Sequence, residues 1–171
     1  MLTYLLVLAV VVIVLYGSFR ALGGGAEVAA DDYRTVLARL CEFTGNRADE
    51  LRTALASSPP GPAASAGRAP TDPLAETAKS ARKSLGGYHQ QLGRLESDAS
   101  GEDRERLESA RALLTAAVED LAWACRLVEA GTLRDNPGMA GAVEALRSHG
   151  EQCLLAAAPL VESPVRVDTP D

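Results

Sequence analysis

The residues from Ser100 to Gly131, SGEDRERLESARALLTAAVEDLAWACRLVEAG, carry the most regular pattern in this sequence. Apolar side chains recur there at alternating intervals of three and four residues, which is the spacing of one face of an α-helix. Ser100 and the acids behind it predict the start of the helix, and Gly131 predicts its end. The apolar seam comprises Leu107, Ala110, Leu114, Ala117, Leu121, Ala124 and Val128.

Three further stretches predict helices by the same spacing. The first runs from Glu27 to Ser57; we expect one helix with a weak point at Gly45-Asn46, the alternative being two helices. The second begins at Asp72-Pro73, a cap followed by a proline suited to the first turn. Its seam passes through Gly86-Gly87, which predicts either a close helix crossing or a kink. The last begins at Asn136-Pro137 and is expected to end at Pro159.

Together these segments predict an all-α fold in which an N-terminal transmembrane helix is followed by an antiparallel four-helix bundle. Strand-type alternation is absent from the pattern. Short turns imply antiparallel neighbours for the last three helices, while the proline-rich linker is long enough to let the first helix cross over the bundle. The predicted parts are an anchor (1–22), a glycine hinge with the first soluble helix (23–57), a linker (58–71), the other three helices (72–161) and a disordered tail (162–171).

The stretch Leu2–Phe19, LTYLLVLAVVVIVLYGSF, predicts contact with a lipid bilayer. It has no charged side chain, and as a helix it would reach roughly 27 Å, about the thickness of a bilayer's hydrocarbon core. A cleavable secretory signal is one alternative, but no positive side chain precedes the apolar run and small residues suited to cleavage lie too far downstream. A buried core helix is the other alternative. We expect a retained single-pass anchor in the cell membrane.

The side of the membrane on which the body lies is predicted from few charges. Arg20 is the strong flanking charge, and the positive-inside rule then favours a cytoplasmic body. The odd number of cysteines, Cys41, Cys125 and Cys153, suits a reducing compartment better than a disulfide framework.

Composition and motifs exclude several functions. The formal net charge of −6 argues against nucleic-acid binding, which requires a basic face. His149 and Cys153 are spaced like two metal ligands on a helix, and Cys125 could supply a third, but the preferred interpretation is a core cysteine beside an edge histidine. His89 is interpreted as a surface residue. No Glu-x-x-His motif of di-metal bundles is present, so we expect neither catalysis nor a cofactor or bound metal.

Trp123 is the single tryptophan, and with Ala116 and Leu127 it forms a second apolar face away from the seam. We expect this face to pack on another helix of the bundle, the alternative being an exposed docking surface.

The function expected from these features is that of a non-enzymatic, membrane-anchored interaction or scaffold module with a protein partner or as a homo-oligomer. A sensory bundle that binds a small molecule is the alternative. A metal-dependent enzyme is the third and least favoured possibility.

Overall fold

A computed structural model describes residues 26–57, 72–131 and 136–162. Its four long helices are α1 (Ala30–Ser57), α2 (Pro73–Arg94), α3 (Gly101–Glu129) and α4 (Pro137–Glu162). Two three-residue strands, β1 (Ala26–Val28) and β2 (Leu95–Ser97), form a parallel pair. The predicted helical bundle is confirmed, and this short strand pair is an addition that the sequence pattern did not predict.

The helices form an up-down-up-down bundle in which chain neighbours are spatial neighbours. Two contacts in each adjacent pair show that the helices are antiparallel. Between α1 and α2, Phe43 stacks on Tyr88, and Thr53 and Thr77 line one groove. Between α2 and α3, the contacts are Arg82–Glu129 and His89–Glu119. Between α3 and α4, they are Arg106–Pro159 and Asp120–His149. Helix α1 also packs on α4, so the crossover of the first helix that the long linker would permit does not occur.

The core is built on the predicted seam of α3. All seven seam positions are buried, and Val118 and Cys125 extend the buried face beyond the prediction. Among the described residues, the core also contains one buried polar side chain, Thr44 of α1. Its hydroxyl donates a hydrogen bond to the carbonyl of Leu40 at 2.6 Å, so the hydroxyl has a partner within its own helix.

Four helix ends lie where the sequence signals predicted them, and side-chain caps or a left-handed glycine mark three of these ends. The Asp72 carboxylate accepts from the Leu74 amide at 3.1 Å, and the Asn136 side chain accepts from the Gly138 amide at 3.0 Å. Gly131 follows α3 with φ of 71°, a conformation that favours glycine. Ser100 occupies the N-cap of α3 without a side-chain hydrogen bond, so the predicted hydroxyl cap is not formed.

Two predicted boundaries are wrong. Glu27 lies in β1 and pairs with Glu96, because the β1–β2 ladder satisfies the backbone there before α1 begins at Ala30. Pro159 lies inside α4, which continues to Glu162, so the helix includes the first residue of the predicted tail. A proline this near a helix end removes one backbone hydrogen bond, and burial of Val161 holds the final turn in place.

The interior glycines differ in their surroundings. Helix α1 passes through Gly45 as one helix, which answers the one-or-two question in favour of one. A Cβ added at Gly86 or Gly87 would meet nothing within 4 Å, so a close crossing is not the role of that pair. The close approach lies at Gly150, where an added Cβ would be 3.3 Å from the Ala117 carbonyl oxygen of α3.

No helix in the ranges 26–57, 72–131 and 136–162 is long and apolar enough to cross a membrane. The predicted anchor Leu2–Phe19, the glycine hinge, the linker 58–71 and the tail from residue 163 onward lie outside the described residues.

Candidate interaction face

Trp123 lies on the outside of the bundle, with 53% of its surface exposed. The expectation that it packs in the core is therefore wrong. The seam of α3 already fills the space against the other helices, and Trp123 projects from the opposite side of the helix. Ala116 and Leu127 flank it and are half-buried against the hydrophobic core, as expected for this face, so only their outer surfaces adjoin the indole. We call the surface formed by Trp123, Leu127 and Ala116 the outer α3 face.

Arg126 adds a cation to this face. Its guanidinium carbon lies 4.5 Å from the centre of the Trp123 ring, within the range of a cation–π interaction. This contact places a positive charge beside the indole in the C-terminal half of the face. Arg126 was not among the residues singled out from the sequence; its position three residues after Trp123 is the signal that could have identified it.

The N-terminal half of the same side of α3 has the opposite character. Ser109 and Ala112 are exposed and small, and Glu108 beside them is exposed and acidic. The Glu108 carboxylate accepts from Arg104 at 2.8 Å, one turn away on the same helix. The outer side of α3 thus carries the large side chain of Trp123 and the cation of Arg126 in its C-terminal half, and small side chains beside the Arg104–Glu108 ion pair in its N-terminal half.

A second feature lies where α3 meets α4. His149 Nδ1 is 2.5 Å from Asp120 Oδ2, and His149 Nε2 is 3.9 Å from Cys153 Sγ. The close approach at Gly150 brings these groups together, since an added Cβ there would lie 3.6 Å from the Cβ of Asp120. We call these three residues the Asp120–His149–Cys153 cluster. Asp120 was missed from the sequence because its place depends on the pairing of two helices.

The cluster does not activate Cys153 as a nucleophile. Burial raises the pKa of the Cys153 thiol, and the negative charge of Asp120 raises it further. A reactive cysteine requires the reverse, a lowered pKa and an accessible sulfur. Catalysis by the thiolate is therefore disfavoured.

The third cysteine proposed from the sequence does not join the cluster. Cys125 is buried, and the charges that act on the pKa of its thiol are those of Glu129 on α3 and Arg82 on α2, not those of the cluster. Burial first, and then Glu129, raises the pKa of its thiol to about 12. No group of three or more His, Cys, Asp or Glu side chains within the described ranges could hold a metal ion.

The remaining candidates are surface features. His89 is half exposed, with Nδ1 3.7 Å from Glu119 Oε1, in agreement with its interpretation as a surface residue. An open groove lies between the end of α1 and the start of α2, lined by small polar and acidic side chains that include Asp49, Glu50 and Thr77. It is a surface depression and not a cavity within the bundle.

Comparison of the chain with protein-family models, with curated proteins and with solved structures found no match.

Proposed function

We propose that this protein is a membrane-anchored scaffold whose helical bundle has no catalytic role and associates with a second copy through the outer α3 face. The observation that carries this proposal is the exposure of Trp123. Aromatic anchors contribute most of the binding energy in protein interfaces, and arginine is enriched there with them. A tryptophan on the surface of a bundle whose core is already filled offers that kind of anchor.

A second copy is the favoured partner because the two halves of the face are complementary. Arg126 and Glu108 are 18 residues apart, five turns of an α-helix, so they lie along the same edge of α3. Leu127 and Ser109 have the same separation along the other edge. The midpoint of Arg126 and Glu108 is residue 117, and that of Leu127 and Ser109 is residue 118. The midpoint of Trp123 and Ala112 lies between these two residues.

In an antiparallel pair of α3 helices related by a twofold axis near residues 117 and 118, the C-terminal half of each copy would contact the N-terminal half of the other. Each Trp123 would then face the small side chains around Ala112 of the other copy, and each Arg126 would face Glu108. Such a self-complementary contact is the form that a C₂ dimer requires. Charge complementarity adds specificity to this register, since it brings Arg126 of each copy to Glu108 of the other.

Membrane anchoring would support the same association. The support for the anchor is the uncharged segment Leu2–Phe19 followed by Arg20, which also favours a cytoplasmic body. Two bundles tethered in one bilayer have a raised effective concentration, so a modest interface suffices for pairing.

We expect full-length protein to remain with membranes during alkaline carbonate extraction and to keep its first residues. Fractionation followed by N-terminal sequencing measures both properties. A mature chain that starts near Asp31 would show that the apolar segment is a cleaved signal and would contradict the anchor. The association through α3 is tested separately, so the two parts of the proposal can fail independently.

For the association, we expect Trp123→Ala to weaken self-association by more than about 1 kcal/mol, or roughly fivefold in Kd, without a comparable loss of stability. The reason is that Trp123 is exposed in the single copy and would be covered in the dimer. Sedimentation of detergent-solubilised protein gives the Kd, and circular dichroism gives the melting temperature.

Phe43→Ala is the matched control, since Phe43 is also an exposed aromatic but lies on α1 against Tyr88. Its Kd should equal that of the wild type. A monomeric wild type would contradict self-association, and a shift in melting temperature caused by one small metabolite would favour a sensory bundle instead.

A further inference from the structure

The Asp120–His149–Cys153 cluster has no part in the proposed association, yet its three polar groups form one continuous line between α3 and α4. Asp120 contacts one ring nitrogen of His149, and the other ring nitrogen faces the sulfur of Cys153. The His149 side chain is 63% exposed, while Cys153 is buried beneath it. The exposed imidazole therefore lies between solvent and the buried sulfur.

The contact with Asp120 fixes which nitrogen of a neutral His149 holds the proton. An ionised carboxylate only accepts hydrogen bonds, so Nδ1 carries the hydrogen and donates to Asp120. Nε2 then accepts a hydrogen bond from the Cys153 thiol at 3.9 Å, so its lone pair becomes available to an ion once that thiol loses its proton. A free nitrogen lone pair beside a sulfur is the donor set preferred by zinc and related ions.

The distance between the two donor atoms fits one ion. Bonds of about 2.0–2.1 Å to nitrogen and 2.3 Å to sulfur in tetrahedral geometry separate the donors by about 3.6 Å. Nε2 and Sγ are 3.9 Å apart, so a small side-chain rotation brings both to an ion between them. Histidines that bind metals commonly donate their other N–H to a carboxylate, which is what His149 does with Asp120.

We propose that His149 Nε2 and Cys153 Sγ bind one divalent ion of the zinc type, with Asp120 orienting the imidazole. The protein supplies two ligands, and the other two positions are held by water or by an external ligand. On binding, the S–H bond of Cys153 breaks, its proton passes to solvent, and the sulfur lone pair binds the ion. The site is open and exchangeable, unlike a structural zinc site with four protein ligands.

The test uses full-length protein in detergent and Co²⁺ as the probe, because cobalt bound to a thiolate absorbs in the near ultraviolet by sulfur-to-metal charge transfer. We expect one Co²⁺ per chain with this band, competed away by Zn²⁺. Cys153→Ser should abolish the band, and His149→Gln should lower the affinity by at least about tenfold. Asp120→Asn should lower the affinity by about 10- to 100-fold while retaining the band.

The matched controls are Cys125→Ser, Cys41→Ser and His89→Gln, which should bind as the wild type does. Melting curves without metal establish that each variant folds, and Zn²⁺ should raise the melting temperature of the wild type but not of Cys153→Ser. A band that persists in Cys153→Ser, disappears in Cys125→Ser or is absent from the wild type would overturn the proposal. An unchanged affinity in Asp120→Asn would remove Asp120 from the site.

Discussion

Leu114→Ala is expected to lower the free energy of unfolding by about 2–5 kcal/mol. Leu114 lies in the middle of the α3 seam and is 1% exposed, so the truncation removes buried apolar surface and leaves a cavity. Helix α3 contacts all three other helices, and the surrounding side chains cannot close that cavity without moving a whole helix. Urea denaturation followed by circular dichroism measures the change.

Leu155→Ala is the control for that substitution. It makes the same chemical change on α4, but Leu155 is 75% exposed, so we expect a change within about 0.5 kcal/mol. Equal effects of the two substitutions would contradict the assignment of the core to the α3 seam.

Gly150→Ala is expected to lower the free energy of unfolding by about 1–3 kcal/mol. The added methyl group would approach Leu121 to 3.1 Å and the Ala117 carbonyl oxygen to 3.3 Å. The leucine can rotate, but the carbonyl belongs to the backbone of α3 and does not yield without separating the two helices. This strain outweighs the gain of up to about 1 kcal/mol that alanine normally brings to a helix interior.

Gly141→Ala supplies the comparison within the same helix. A Cβ there meets nothing within 4 Å, so the helix-propensity gain should appear unopposed, as a stabilisation of up to about 1 kcal/mol. Thermal melts of both variants measure the difference in sign. If Gly150→Ala were as stabilising as Gly141→Ala, the close approach of α3 and α4 would be contradicted.

The bundle could be predicted from the sequence because the patterns that specify each helix lie within a short stretch of chain. A seam such as Leu107 to Val128 requires only the period of one helix, and the end signals at Asp72, Asn136 and Gly131 act within one turn. The strand pair could not be predicted in this way, since three residues at Ala26–Val28 carry no period and pair with a segment that is distant in the chain.

The candidate sites required information that a single helix does not contain. The apolar face around Trp123 was evident from the sequence, but whether another helix covers it depends on how the bundle closes. Asp120 was missed for the same reason: it reaches His149 only because Gly150 sets the register between α3 and α4. The spacing of His149 and Cys153 identified two members of the cluster and wrongly suggested Cys125 as the third.

The most direct test of the account is a charge exchange across the proposed twofold axis of α3. Arg126→Glu alone and Glu108→Arg alone should each weaken self-association, because each places like charges opposite one another in the dimer. The double variant, with the two charges exchanged, should recover most of the wild-type Kd measured by sedimentation. A double variant that associates no better than the single variants would contradict the pairing of two copies through the outer α3 face.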